Sequence, residues 1–180
     1  QRAGTGAGAT DGPLASSADP AGRMTGYQFA RRYDDVVKID GRDVRQTVEY
    51  GFDYDRKATV RRITAPDGTV MSEELFPAES LRANEAESAR LLELVRTHPQ
   101  LGPMMSEPGL IVHRGGFVVR EPDDPYCGEG SRCLRFIVSK GDGSIPFIHA
   151  IVDLVSDRVV HPFEDNSTHP AASAATESKS

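Results

Sequence analysis

The amino-acid sequence predicts an α+β fold in which one amphipathic helix packs on a curled antiparallel sheet. One stretch, which begins after Asn84, repeats apolar residues at helical spacing. Several other stretches alternate polar and apolar residues between turn signals, as half-buried strands do. Nearly all large apolar side chains lie between about Tyr27 and Asp165, which is the length of a single domain.

The two ends of the chain differ in composition from its centre. Residues 1–26 are rich in Gly, Ala, Ser and Asp, residues 166–180 are rich in Ala, Ser and Thr, and both segments contain few large apolar side chains. Such segments bury too little apolar surface to offset the conformational entropy that folding removes. We therefore predict a disordered N-terminal tail over residues 1–26, an α+β domain over 27–165 and a disordered C-terminal tail over 166–180.

The first predicted strands lie between residues 45 and 76. Arg45–Asp55, Lys57–Thr64 and Thr69–Phe76 each alternate in the manner of a strand. The turn signal Pro66-Asp67-Gly68 separates the second from the third. Together these segments predict an antiparallel meander.

The helix is predicted from its start and stop signals as well as from its periodicity. Asn84 can cap its N-terminus, and Glu87 stands three residues later, where the partner in a capping box belongs. His98-Pro99 ends the helix, because the residue before a proline disfavours the helical region. The apolar stripe between these points is Ala86, Ala89, Leu92 and Val95, widened by Leu91 and Leu94.

The second half of the chain supplies the rest of the predicted sheet. Leu110–Val112 and Phe117–Arg120 flank a pair of glycines and predict two short strands or one bulged strand. Arg132–Ser139 and Ile148–Leu154 alternate cleanly, and Val159-Val160 follows a turn.

Charge and hydropathy narrow the classes of partner. The chain has 21 Lys and Arg against 27 Asp and Glu, a formal net charge of −6, and no basic block. This balance argues against a nucleic-acid partner. No apolar run reaches the roughly 18 residues that a membrane-spanning helix needs, so we expect no transmembrane segment. Another protein is the expected partner; the oligomeric state is left open.

The cysteines and the first residues of the chain both indicate export. Cys127 and Cys133 flank a short loop with two glycines, which favours a disulfide in an oxidising compartment. The pair could instead bind a metal, but its spacing is unusual for zinc and there is no second cysteine pair. The small-residue stretch at the start is typical of the region after a removed export signal. We expect a periplasmic or secreted protein with a bacterial composition.

His149, Asp153 and His161 are the best candidates for a chemical site. His149 and Asp153 share one face of a predicted strand, and a hairpin can bring His161 near them. Two imidazoles and a carboxylate can hold a metal or perform acid–base chemistry. The simpler interpretation is that all three are surface polar residues opposite a buried face, which the alternation alone predicts.

Four segments of the chain resemble the small N-terminal domains of copper amine oxidases. Leu92–Pro99 is similar to the helix of those domains that ends in a charged residue, Asp or His, and Pro. Ala150–Val160 is similar to the strand that closes the second such domain, and Arg56–Val60 and Glu73–Phe76 to the last strands of the first. The resemblance covers about 48–165. It implies a cystatin-like helix-on-sheet architecture and an accessory role.

The catalytic features of that family are missing from this sequence. The quinone cofactor forms from a Tyr that follows an Asn, but Asn84 and Asn166 are followed by Glu and Ser. Copper requires a His-x-His pair, which none of the five histidines forms. The resemblance therefore implies the accessory part of the family without oxidase activity, and without a quinone or copper site.

The resulting hypothesis is a non-catalytic exported interaction or accessory module, with no catalytic residues and no cofactor. One alternative is a small metal- or ligand-binding protein, or a metal-dependent enzyme, that uses His149, Asp153 and His161. Another is a protease inhibitor, because cystatins insert a Gln-x-Val-x-Gly hairpin into a protease and Gln46–Gly51 is similar. Here an extra Tyr50 interrupts that motif, and the chain has no Trp for the second inhibitory loop.

Overall fold

The computed structural model describes residues 18–76, 81–113, 118–143 and 146–164, which form two four-stranded antiparallel sheets. The first sheet contains β1 (Tyr27–Ile39), β2 (Arg42–Asp53), β3 (Ala58–Thr64) and β4 (Val70–Phe76) in that order. The helices α1 (Glu85–Thr97) and α2 (Leu101–Met104) follow it. The second sheet contains β5 (Leu110–His113), β6 (Cys133–Lys140), β7 (Pro146–Asp153) and β8 (Arg158–His161), also in chain order.

The predicted α+β class, one helix on a single curled cystatin-like sheet, is wrong. The described part of the chain is mostly β, and its strands are divided between two sheets. Each group of four strands is joined by local antiparallel connections and pairs within itself, while α1 and α2 separate β4 from β5. Alternation identifies strands, but it does not say which strands pair across an intervening helix.

The strand β1 is a further difference from the sequence prediction. Its central residues, Arg31–Asp35, carry charged side chains on both faces of the strand, so the sequence there shows no alternation of polar and apolar residues. All five nevertheless pair with β2. The hairpin that joins the strands is closed by Asp40 and Gly41, with φ of 51° and 78°. Positive φ at both central residues is the conformation that two-residue hairpins favour, and Asp-Gly adopts it readily.

The helix prediction is confirmed, including its capping box. The Asn84 side chain accepts a hydrogen bond from the Glu87 N–H at 2.8 Å, and Glu87 Oε2 accepts one from the Asn84 N–H at 2.9 Å. The Asn84 amide also donates to the carbonyl of Phe29, which ties the helix to β1. His98 is extended and ends the helix before Pro99.

The main core lies between α1 and the second sheet. Leu91 and Val95 of the helix pack there, and Phe52 and Tyr54 reach the same core from the end of β2. Met24, within the predicted N-terminal tail, also belongs to this core. Its other buried members are Leu101, Leu134, Phe136, Val138, Ile148, Ala150, Val152 and Leu154.

Several sequence predictions fall outside the described residues. These are most of the N-terminal tail (1–17), the C-terminal tail (166–180) and the start of the predicted strand at Phe117–Arg120. Val118 of that strand forms an isolated bridge with Leu134. Within the described residues, no helix has the length and apolar composition needed to cross a bilayer.

Candidate functional site

The first candidate residue, His149, is paired with a carboxylate near the end of the described chain. Its Nε2 lies 2.7 Å from Oε2 of Glu164, and its carbonyl accepts a hydrogen bond from the Glu164 N–H at 2.8 Å. Arg135 on the neighbouring strand donates to the other oxygen of Glu164 at 2.7 Å. Glu164 therefore joins the chain that follows β8 to β6 and β7.

His161 is paired with a different carboxylate. Its Nε2 lies 2.6 Å from Oδ2 of Asp124, and the ring of Tyr126 packs edge-on against the imidazole. The other Asp124 oxygen accepts hydrogen bonds from the N–H groups of Tyr126 and Cys127. Burial would raise the pKa of Asp124, but these hydrogen bonds and His161 outweigh it and hold that pKa below its usual value.

Asp153 organises a turn. Its carboxylate is buried and accepts hydrogen bonds from the backbone N–H groups of Arg132, Val155 and Ser156 at 2.9, 3.1 and 3.0 Å. Those bonds fix the connection from β7 to β8 and the start of β6. A carboxylate engaged in this way is a structural acceptor for the backbone.

The structure thus gives His149, Asp153 and His161 three separate sets of partners. His149, Ile151 and Asp153 are alternate residues of β7, and the sequence predicts that they share one face of the strand. Ile151 packs with Cys127 and Cys133, on the face opposite to the one that contributes Ala150 and Val152 to the main core, which agrees with that prediction. Among the described residues, the group that places metal-type ligand atoms within 4.8 Å of one another is Asp124, Cys127 and His161. His149 and Asp153 are not members of it.

The predicted disulfide between Cys127 and Cys133 is confirmed, with Cα atoms 5.5 Å apart. Both cysteines are fully buried and pack with Ile151 and Val119. The bond pins the segment before β6 against the second sheet. A disulfide sulfur lacks the thiolate charge that makes cysteine a good metal ligand, so in this state only Asp124 and His161 of the group retain ligand character.

The segment Gln46–Gly51, similar to the inhibitory hairpin of cystatins, lies inside β2. Gln46, Val48, Glu49 and Tyr50 are all buried, and the hairpin tip is at Asp40-Gly41 instead. From Thr47 to Gly51 this segment has β1 on one side and β3 on the other, so it does not form a hairpin tip that could enter a protease cleft.

A buried ion pair that the sequence analysis missed joins the two halves of the molecule. Arg132 donates to both oxygens of Glu87 at 2.9 Å, and its remaining amino group donates to the carbonyl of Leu81 at 2.8 Å. The hydroxyl of Tyr54 donates to Glu87 at 2.8 Å. Burial would lower the pKa of Arg132, but the Glu87 carboxylate outweighs it and raises that pKa. The capping-box position of Glu87 was the only sequence signal for this centre.

The strand β4 presents an exposed apolar edge. It is the last strand of the first sheet, with β3 on one side and no described strand on the other. Val70, Met71 and Leu75 are 52, 48 and 47% exposed. An open edge strand with exposed apolar residues has the features that favour pairing with another chain.

The acidic residues of β4 do little to protect its edge. Glu73 is held by Arg56 at 2.6 Å and by Arg62 at 2.8 Å, and Glu74 by Arg61 at 2.9 Å. Each carboxylate is therefore paired with a cation of its own sheet.

Comparison with known proteins assigns no family. No protein-family model matches the chain, and no curated protein matches its sequence.

Proposed function

We propose that this chain is a non-catalytic, exported interaction module that binds an extended segment of another protein along β4. The main support for this proposal is that Val70, Met71 and Leu75, three apolar residues, are exposed on an edge strand. Main-chain hydrogen bonds from an added strand supply affinity in this mode of recognition, and alternate side chains supply specificity.

The chemistry of β4 also defines the partner segment. Its carboxylates are already paired with arginines of the first sheet, so the edge offers neither a free acidic nor a free basic stripe. A matching segment would be extended, uncharged at its centre and rich in β-branched or aromatic residues.

Two further observations support the exported accessory role. Disulfides persist in oxidising compartments, and Cys127 and Cys133 form one. The resemblance of 48–165 to the accessory domains of copper amine oxidases, without their catalytic residues, favours a role beside another chain.

The test is an affinity capture from envelope and medium fractions of the source cell with three baits. The first is the wild-type chain, the second carries Met71→Lys and Leu75→Lys, and the third carries Phe163→Lys. Phe163→Lys is a control for the replacement of an exposed apolar residue by lysine, because Phe163 is 52% exposed and lies outside the first sheet.

We expect one stoichiometric protein on the wild-type and Phe163→Lys baits and its loss from the β4 variant, because lysines at an edge oppose strand addition. A folded β4 variant that captures the same protein as the wild type would contradict the proposal. A wild-type bait that captures nothing would also contradict it, and so would a purified chain that converts a substrate.

A further inference from the structure

The outer half of β1 is a second open edge. β1 pairs with β2 on one side, and no described strand lies on its other side. The N–H of Val36 donates to the neighbouring carboxylate of Asp35 at 2.9 Å instead of to β2. Backbone groups alternate sides along an antiparallel strand, so Asp34 and Lys38 also turn theirs to this edge.

The β1–β2 hairpin extends beyond the rest of its sheet. β3 pairs with β2 only from Thr47 to Asp53, so residues 35–46 form a two-stranded ribbon. Val36 and Ile39 on this ribbon are 57 and 43% exposed. A two-stranded ribbon is marginally stable by itself, and exposed apolar residues at an edge favour pairing with another strand.

The charge order along β1 is complementary to itself. The sequence Arg31-Arg32-Tyr33-Asp34-Asp35 carries two cations, an aromatic residue and two anions in turn. Two antiparallel copies centred on Tyr33 place Arg31 opposite Asp35 of the partner subunit, and Asp35 opposite Arg31 of the partner subunit. The inner positions place Arg32 opposite Asp34 of the partner subunit. Arg32 is also held by Glu49 of β2 at 2.5 Å, so Arg31 and Asp35 contribute most of the charge match.

Other registers and directions lose this match. A centre one residue earlier sets Arg32 against Arg32 of the partner subunit, and a centre one residue later sets Asp34 against Asp34 of the partner subunit. In-register parallel pairing opposes every charge to its like. Opposite charges directly across a strand pair are favourable and like charges unfavourable, so the sequence specifies one arrangement.

We propose that the protein forms a twofold-symmetric homodimer in which the two β1 strands pair antiparallel about Tyr33. The two first sheets then become one continuous eight-stranded sheet. Tyr33 turns its backbone groups toward β2, so the two tyrosines at the axis form the close, non-hydrogen-bonded type of pair. The regular register of β1 begins at Arg31, because its pairing with β2 is irregular between Phe29 and Arg31, so the proposed pairing covers residues 31–35. The β4 edge is at the opposite side of each sheet and stays accessible.

Charge exchange across the axis tests this arrangement. Arg31 and Asp35 are suited to substitution. Arg31 is exposed, and Asp35 accepts hydrogen bonds from the Val36 N–H of its own strand and from the Gln46 side chain of β2. The variants are Arg31→Asp, Asp35→Lys and the double exchange Arg31→Asp with Asp35→Arg. Asp123→Lys, on an exposed loop of the second half, is the control with the same change in net charge as Asp35→Lys.

Sedimentation equilibrium measures the mass over a concentration series that reaches about 1 mM. We expect the wild type, Asp123→Lys and the double exchange at twice the chain mass of 19.5 kDa. Arg31→Asp and Asp35→Lys are each expected as monomers, and their equimolar mixture as a dimer. The dimer weakens with added salt, because the Debye length falls from about 10 Å at 0.1 M to about 3 Å at 1 M.

Two results would overturn the proposal. A wild-type chain that remains monomeric throughout the series leaves the β1 edge to some other occupant. A dimer that persists in both single variants, each shown to be folded by circular dichroism, uses a different interface.

Discussion

Replacement of Arg132 by methionine removes the cation at the buried centre between the two halves of the molecule. The Arg132 and Glu87 side chains are only 2 and 1% exposed. Methionine retains much of the apolar volume of arginine but leaves the Glu87 carboxylate buried without its cation. It also leaves the carbonyls of Leu81 and Arg82 without the donors that Arg132 supplies.

The expected cost follows from these contacts. Removal of one partner from a buried ion pair costs about 3–5 kcal/mol, and unsatisfied carbonyls move Arg132→Met to the upper part of that range. Glu87→Gln is isosteric and leaves the guanidinium without a counter-charge, so it costs about 3 kcal/mol. Tyr54→Phe removes a single hydrogen bond to a charged acceptor and costs about 1.5–3 kcal/mol.

Urea unfolding of the disulfide-bonded chain measures all three variants and the Glu87→Gln, Arg132→Met double variant. The double variant buries no isolated charge, so its loss of stability is expected to be smaller than the sum of the single losses by about 2–3 kcal/mol. Tyr54→Phe keeps the experiment informative if the larger losses exceed the total stability of the fold. Losses of unfolding free energy under about 1 kcal/mol in the single variants would refute the reasoning. So would a loss in the double variant that equals the sum of the two single losses.

Three further predictions concern other parts of the structure. Burial would raise the pKa of Asp53, but hydrogen bonds from Arg56 outweigh it and hold that pKa below its ordinary value of 3.8. The stability that these bonds confer is therefore present above pH 3.8 and is lost as the pH falls through the lowered pKa of the folded state. The drop in urea-unfolding free energy between about pH 5 and pH 3 should accordingly be smaller in Asp53→Asn than in the wild type. Alanine at both positions of the Cys127–Cys133 disulfide should lower the unfolding free energy by about 2 kcal/mol, the chain-entropy value for so short a loop, whereas an unchanged midpoint would contradict this. Gly51→Ala should cost about 1–3 kcal/mol, because a Cβ there would lie 2.3 Å from the Tyr27 ring and 2.5 Å from a backbone carbonyl; a thermal melt that matches the wild type would show that the ring moves aside freely.

The features that were predictable from the sequence are local ones. The capping box of Asn84 and Glu87 and the break at His98-Pro99 depend on residues three or four positions apart, and all were found where expected. The turn at residues 66–68 and the strands on both sides of it are of the same kind. The division into two sheets was not predictable, because pairing is decided by contacts between distant segments.

The same distinction separates the predicted from the observed partners of the histidines. Strand alternation placed His149 and Asp153 on one face, as the burial of the intervening Ile151 indicates. Their partners come from elsewhere in the chain: Glu164 from beyond β8 for His149, and the backbone of residues 132, 155 and 156 for Asp153. The spacing of residues along one strand contains no information on which distant carboxylate or N–H group will contact them in the fold.

The two sheets differ in the length and the charges of their edge strands. Every open sheet has two edge strands whose backbone groups can pair with another chain, and short edge strands reduce that tendency. In the described second sheet the edges, β5 and β8, have four residues each, whereas β1 has 13 and β4 has seven. Charges on a long edge normally oppose pairing. The carboxylates of β4 are paired with arginines of their own sheet. On β1, Arg31 and Asp35 are placed so that a second copy matches them. Neither arrangement opposes pairing in the way that unpaired charges on an edge do, so both favour the addition of a strand from another chain.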